Sequence, residues 1–256
     1  MALMKTSNPA LGENTFRGMQ GSGYGSMVDA ANRMTLNGTV NKTGLLLICA
    51  LATATWTWSL FMKSRDMSSV APLMMVGLFG GLIFALVTSF KKEWAPVTAP
   101  IYALLEGLML GGLSAMLDLR YPGIGIEAVS LTFGTLFVLL VLYRSGLIKV
   151  TQKFRLGVIA ATGGIFFFYL AQMLLGFLGI RFAAINGSGI IGIGFSLIVV
   201  AVAALNLVLD FDMIEQGVQM GAPKYMEWYG AFGIMVTLVW LYIEILRLLT
   251  KLQRRN

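Results

Sequence analysis

Seven apolar stretches, each about as long as a bilayer crossing requires, constrain this sequence more than any other feature. A helix needs roughly 20 apolar residues to cross a hydrocarbon core about 30 Å thick. Short polar connectors separate the stretches, which predicts that consecutive helices are antiparallel neighbours. We therefore predict an all-α membrane protein, a bundle of seven transmembrane helices within residues 44–249. The stretches are 44–62, 71–90, 97–117, 126–143, 157–179, 189–209 and 231–249.

The two ends of the chain are polar. Residues 1–43 contain a Gly/Ser-rich stretch and no apolar run of signal-peptide length, which predicts a mobile amino-terminal tail and an uncleaved first helix. Residues 250–256 form a short basic tail. We expect no soluble domain between these ends.

The basic residues indicate the orientation in the membrane. If the amino-terminus is cytoplasmic, 11 Lys and Arg lie on the cytoplasmic side and 8 on the other. Cytoplasmic loops carry the excess of basic residues, so we predict a cytoplasmic amino-terminus. The basic carboxy-terminal tail also prefers the cytoplasm, which leaves open a form with six spans and one re-entrant stretch.

The composition excludes several function classes. The chain has 256 residues, no histidine and one cysteine, Cys49, so it can form neither an internal disulfide nor the usual tetrahedral zinc site. Catalysis with histidine as base is excluded as well. The net charge of +7 is spread over loops and tails, so we expect no nucleic-acid partner. We expect a protein that is not an enzyme and has no cofactor, with the lipid bilayer as its surroundings.

Ionisable residues inside the apolar stretches are the candidate functional groups. Each costs several kcal/mol at the bilayer centre unless it faces a partner or water. Glu106 lies near the middle of the third stretch, and Asp210 ends the sixth, with Asn206 one turn earlier on the same face. Glu244 lies within the seventh stretch and is followed by Arg247.

Each carboxylate also has a purely structural interpretation. Asp210 and Asp212 would then be charges at the end of a helix. Glu244 would be neutralised by Arg247 one turn later, and the arginine would reach the headgroups. Glu106 would be a protonated side chain that is hydrogen-bonded to a neighbouring helix.

The connector between the last two stretches decides whether Asp210 and Glu244 lie at similar depths. If the sixth helix continues to about Gly217 and the seventh begins near Ala231, the two depths differ by about 10 Å at 1.5 Å per residue, which a tilt would narrow. A seventh helix that starts at Pro223 would place the two carboxylates too far apart.

Similar depths of the two carboxylates require residues 222–230 to lie along the interface, as their Lys, Glu, Trp and Tyr content allows. We then expect the two carboxyl groups to form a hydrogen bond with each other, directly or through one water. Asn206 should lie nearby.

Four segments together resemble the transmembrane Bax-inhibitor-motif family, including its bacterial YccA-like members. LVLDFDMIEQG at the end of the sixth stretch and LYIEILRLL in the seventh are similar to the paired signature of that family. SNPAL near the amino-terminus and LEGLMLGGLS in the third stretch are similar to the bacterial branch with a long polar tail. The resemblance covers the whole chain in the number and order of spans.

The resemblance implies a fold, a place and an activity. It implies seven helices with the last near the centre, a bacterial inner membrane and a pH-sensitive Ca²⁺ leak. By motif position, the two family aspartates that sense pH correspond to Asp210 and to Glu244, where glutamate replaces aspartate. The family's latching arginine on the second helix has no counterpart within 71–90.

Two carboxylates in a site of low dielectric constant cannot both ionise cheaply, so they tend to share one proton and titrate as a coupled pair. Loss of that proton would loosen the helix contact and supply oxygen ligands suited to Ca²⁺ near Asp210 and Glu244. Our first hypothesis is therefore a pH-gated cation leak, with Ca²⁺ as the transported ion. The alternative is a regulatory protein that binds a partner such as a membrane protease. An intramembrane aspartyl protease is a weaker third, because no GxGD motif occurs.

Overall fold

The computed structural model describes residues 32–179 and 183–255. Seven of its helices are long and apolar enough to cross a membrane. The prediction of an all-α bundle of seven spans is confirmed, and the protein is a multi-pass integral membrane protein. The helices are α1 Leu36–Ser64, α2 Ala71–Phe90, α3 Ala95–Arg120, α4 Ile124–Arg144, α5 Gln152–Phe177, the short α6 Ala183–Asn186, α7 Ile190–Gln219 and α8 Met226–Gln253.

The first helix begins eight residues before the apolar stretch that predicts it. Thr35 is the N-cap of α1, and its hydroxyl accepts a hydrogen bond of 3.0 Å from the backbone N–H of Gly38. A cap of this kind starts a helix in polar sequence, where hydropathy gives no signal. Part of the predicted tail, residues 36–43, is therefore helical, and residues 1–31 lie outside the described part of the chain.

The last two spans are also longer than expected. Helix α7 continues to Gln219, so Asp210 lies inside it and does not mark its end. Helix α8 begins at Met226 and not near Ala231, and Met226 and Tyr229 are buried. The helix start expected near Ala231 is wrong, because residues 226–230 already belong to α8. The two helix ends that we assumed in comparing the depths of Asp210 and Glu244 are therefore replaced by Gln219 and Met226.

The helices divide between two compact units. The first unit contains α1, α2 and α3 together with the segment Asp210–Val236, which comprises the end of α7 and the start of α8. The second unit contains α4, α5 and α6, helix α7 up to Leu209, and helix α8 from Thr237.

Burial differs strongly among the spans. In α8, 67% of the most apolar window is buried, the largest share of the seven, against 11% in α5. Exposed side chains of α5 include Phe166 and Phe167, at 61% and 68%. Large apolar side chains exposed over a whole span are compatible only with lipid, so the surroundings of this protein are a bilayer.

Glycines bring α1 and α3 into backbone contact within the first unit. A methyl group added at Gly107 would overlap the carbonyl oxygen of Ala50, and one at Gly111 would overlap that of Ala54. The Thr53 hydroxyl donates a hydrogen bond of 2.8 Å to the carbonyl of Leu104 across the same contact. This close approach is typical of small-xxx-small helix pairs.

Candidate functional site

Glu244 on α8 accepts hydrogen bonds from two residues of the second unit. Its side chain is 2% exposed. The Tyr169 hydroxyl donates to its carboxylate oxygens at 3.1 and 3.2 Å, and Nη1 of Arg247 donates at 2.9 and 3.1 Å. Arg247 also donates to the Tyr169 hydroxyl, and its guanidinium lies 4.9 Å from the centre of the tyrosine ring. The three side chains form one closed network, which we call the Glu244 network.

One face of α5 positions Tyr169. Thr162, Ile165 and Tyr169 follow a spacing of three and four residues, which places them on the same helical face. Thr162 accepts a hydrogen bond of 2.8 Å from the side-chain amide of Asn206, which is 3% exposed. Ile165 packs against apolar residues of α7. The otherwise lipid-exposed α5 thus has one face with two polar side chains. Thr162 forms a hydrogen bond with α7, and Tyr169 forms hydrogen bonds with α8.

Asp210 is fully buried and lies one turn after Asn206 on α7. Two residues later, Asp212 accepts a hydrogen bond of 2.6 Å from Gln216. Asp210 belongs to the first unit and Glu244 to the second, and the hydrogen bond expected between them stays a prediction.

The Glu244 network supplies one carboxylate, which is too few oxygen ligands for a resident Ca²⁺ ion. Ca²⁺ takes six to eight oxygen ligands in a stable site. Among residues 32–179 and 183–255, no three acidic, histidine or cysteine side chains come together. The charged partner of Glu244, Arg247, has a side chain that is 41% exposed.

Glu106 lies in the first unit, 9% exposed, between α3 and α2. The Tyr102 hydroxyl, one turn earlier, donates a hydrogen bond to its carboxyl group. A methyl group at Gly81 of α2 would lie 2.8 Å from its Oε1. Its Oε2 has no hydrogen-bond partner among the described residues. The carboxyl group faces the protein interior, as we expected from the cost of exposing it to lipid.

Substitution of Glu106 distinguishes a hydrogen-bonding role from a charge role. We expect Glu106→Gln to change the free energy of unfolding by less than about 1 kcal/mol, because the amide oxygen still accepts from Tyr102. Glu106→Leu leaves the buried tyrosine hydroxyl unpaired and should cost about 1 to 3 kcal/mol. Unfolding in mixed detergent micelles measures both, with the exposed Glu127→Leu as control. Equal stability of the two Glu106 variants would contradict the hydrogen-bonding role.

A second network surrounds Glu227 in the first turn of α8. Its side chain has no exposed surface. The backbone N–H and the hydroxyl of Thr35 donate to Oε1 at 2.9 and 2.8 Å, and Lys224 pairs with the same oxygen at 2.9 Å. Lys42 pairs with Oε2 and lies 5.5 Å from the ring centre of Trp228. We call this group the Glu227 clamp, because it holds the start of α1 against the start of α8.

Backbone contacts extend the clamp to the connector between α7 and α8. The N–H of Met34 donates to the carbonyl of Ala222 at 2.7 Å, and the N–H of Lys224 donates to the carbonyl of Asn32 at 2.9 Å. The start of α1 and this connector therefore lie on the same side of the membrane. That requires an even number of crossings between them, which the six spans from α1 to α7 provide.

The connector between α2 and α3 reaches the same end of the first unit. The Lys92 ammonium lies 5.7 Å from the ring centre of Tyr229. Burial, with a smaller contribution from the Glu93 carboxylate, raises the pKa of Tyr225. Both contacts join the turn before α3 to the segment around the start of α8, as the alternation of an antiparallel bundle requires.

Sequence reasoning missed several residues of both networks. Lys42 and Lys224 entered only as charges for orientation, and Glu227 only as part of an interfacial stretch. Tyr169 lay unremarked in an apolar helix. The spacing of Thr162 and Tyr169, two turns apart in the least polar surroundings, is the signal that would have identified the face of α5 with two polar side chains.

Comparison with protein families gives one match. The model of a family described as Bax inhibitor 1 like matches residues 8–254, nearly the whole chain. The comparisons with curated proteins and with solved structures found no match.

Proposed function

Since this chain belongs to the Bax inhibitor 1 like family, we propose that it is a pH-sensitive cation leak for Ca²⁺ in a membrane, with Asp210 and Glu244 as the titrating groups. The observation that carries the proposal is the burial of both carboxylates on consecutive membrane-spanning helices, at 0% and 2% exposure. Ionisable groups at such positions are costly and in membrane proteins usually belong to ion or proton pathways.

The Glu244 network supports a change of conformation on titration. The latching arginine that the family has on its second helix is absent here, and Arg247 takes over its role. Arg247 does so because it binds both Glu244 and Tyr169. Protonation of Glu244 removes the ion pair, while ionised Glu244 and Asp210 offer hard oxygen ligands to Ca²⁺. Flux should therefore rise with pH as the carboxylates lose their protons.

The same proposal includes the setting of the protein. We assign it to a bacterial inner membrane, on the resemblance of SNPAL and LEGLMLGGLS to the bacterial branch, and we place its amino-terminus in the cytoplasm, on the distribution of Lys and Arg. It acts without an enzymatic step and without a bound cofactor, and Ca²⁺ is its cargo.

The pH dependence of flux tests the assignment of the two carboxylates. We expect Asp210→Asn and Glu244→Gln each to flatten the rise of Ca²⁺ flux with pH, because an amide has no proton to lose in this range. Their effects should not add if the two groups titrate as one unit. Glu244→Asp retains a carboxylate and should keep the pH dependence with a shifted midpoint. The measurement is Ca²⁺ entry into proteoliposomes, followed with a calcium-sensitive dye.

Glu215→Gln provides the matched control, since it makes the same change on the half-buried end of α7. Its pH profile should equal that of the unsubstituted protein. A pH profile that is unchanged in both amide variants would reject the sensor assignment.

The Glu227 clamp favours one second candidate, a regulatory role through a protein partner such as a membrane protease. The chain before Asn32 leads directly into the backbone contact with the connector between the last two spans. A partner that binds the amino-terminal segment would therefore act on the start of α8. Ca²⁺ flux by the purified protein without any partner favours the leak, and its absence at every pH favours the regulatory role.

A further inference from the structure

Lys251, in the last turn of α8, is 6% exposed. Its ammonium donates to the carbonyl of Ile185 at 2.8 Å, to the carbonyl of Gly192 at 2.9 Å and to the hydroxyl of Ser196 at 2.8 Å. An ammonium group has three N–H donors, so each of them has an acceptor. The distances are those of charge-assisted hydrogen bonds.

All three acceptors are uncharged oxygens. A buried ammonium ordinarily pairs with a carboxylate, because burial of an unpaired charge is costly. Here two carbonyls and one hydroxyl accept all of its hydrogen bonds, and the Glu244 carboxylate contributes an electrostatic attraction without a hydrogen bond. Backbone carbonyls that replace a hydration shell are also the ligands by which proteins select K⁺. The cage is therefore chemically a site for a monovalent cation.

Close packing of the backbone builds this cage. A methyl group at Gly192 would lie 2.9 Å from the carbonyl oxygen of Ile185 and would overlap that of Gly187. Only glycine lets the first turn of α7 approach the segment after α6 so closely. Ser196 follows Gly192 by one turn on the same face, and it is 1% exposed. The oxygens are thus held in place by the fold, whether or not a cation is present.

We propose that the carbonyls of Ile185 and Gly192 and the hydroxyl of Ser196 form a monovalent-cation site that Lys251 occupies as a tethered cation, which excludes mobile cations from it. When the lysine is removed, the site takes NH₄⁺ or K⁺. These two ions are similar in size and suit oxygens at 2.8 to 2.9 Å from the centre, whereas the smaller Na⁺ prefers a tighter cage. The proposal does not depend on the Ca²⁺ leak.

Chemical rescue of Lys251→Ala tests the site. The thermal unfolding midpoint is measured in detergent micelles with equal concentrations of choline, sodium, potassium or ammonium chloride. In choline we expect a midpoint lower than that of the unsubstituted protein by about 5 °C or more. Ammonium and potassium should each restore at least about half of the loss, because they satisfy the same oxygens. The unsubstituted protein should unfold at the same midpoint in all four salts.

Two further variants sharpen the result. Ser196→Ala in the Lys251→Ala background removes one ligand and should reduce the rescue by ammonium. Lys153→Ala, at an exposed position at the start of α5, should show neither loss nor rescue. Failure of ammonium and potassium to rescue the midpoint above its value in choline, or equal rescue by sodium, would overturn the proposal.

A measurement on the unsubstituted protein covers the case in which Lys251→Ala does not fold. Amine-reactive labelling, quantified by mass spectrometry, should modify Lys251 at least about tenfold more slowly than Lys153, because its ammonium must first leave three charge-assisted hydrogen bonds. Ser196→Ala should raise the labelling rate of Lys251 severalfold and leave that of Lys153 unchanged. Equal labelling of the two lysines in the unsubstituted protein would show that the cage is not occupied and would reject the proposal.

Discussion

Replacement of Glu227 by alanine should destabilise the protein by about 1.5 to 3 kcal/mol, the usual contribution of hydrogen bonds to a charged group, since its lysine partners are 19% and 47% exposed and stay solvated. The substitution leaves Lys42 and both donors of Thr35 without the acceptors that they have in the clamp. It also frees the start of α1 from the start of α8. The free energy of unfolding, measured by SDS titration in mixed micelles, checks this expectation.

Glu127→Ala is the matched control for Glu227→Ala. Both residues are acidic and lie in the first turn of a span, so both interact with the helix dipole, which accounts for about 0.3 to 1 kcal/mol. Glu127 is exposed, and its replacement should cost no more than that. Gly38→Ala provides an independent test, because its methyl group would overlap the Glu227 carboxylate and should displace it. If Glu227→Ala lowered the free energy of unfolding no more than Glu127→Ala does, the Glu227 clamp would not contribute to stability.

Substitution of glycine by alanine should change the free energy of unfolding in opposite directions at two kinds of position. At Gly107 and Gly111 the added methyl group meets the backbone of α1, which cannot move aside without separating the helices. Overpacking of this kind costs about 1 to 3 kcal/mol or more. At Gly134 of α4 and Gly164 of α5 the added methyl group meets nothing within 4 Å. There alanine should stabilise the helix by up to about 1 kcal/mol, through its higher helix propensity.

The same unfolding titration measures all four glycine variants. Gly107→Val should exceed Gly107→Ala in cost, because the larger side chain forces α1 and α3 further apart. If all four alanine variants stabilised the protein, helix propensity alone would explain them, and the contact between α1 and α3 would not be a source of stability.

Hydropathy predicted the number of spans and, for α2, both ends at residues 71 and 90. In α2 the apolar run stops where charged residues begin, so the signal and the helix end together. In α1 and α8 the helix continues into polar turns, and the cap at Thr35 and the partners of Glu227 decide where it begins. Hydropathy contains no information on such caps, which explains why these ends were missed.

The cost of charge in lipid predicted the burial of three carboxylates but not that of Glu227, which lies outside the apolar stretches. Glu106, Asp210 and Glu244 are at most 9% exposed, because that cost acts on the residue alone, whatever its partner. The same cost does not predict which residues become the partners of these carboxylates. Arg247, three residues from Glu244, was foreseen as a neighbour, whereas Tyr169 lies 75 residues away in sequence and was not. The link between Asp210 and Glu244 stays a prediction of motif position.

The sequence by itself determined that this chain crosses a membrane seven times and that three of its carboxylates avoid lipid, since both follow from the transfer free energy of single residues and short segments. Only the tertiary structure decided which groups meet. The Glu227 clamp joins residues 192 positions apart, and the oxygen cage of Lys251 joins positions 55 to 66 apart. Such contacts depend on how the helices are rotated and how closely their glycines let them approach, and these depend on the packing of all the spans together.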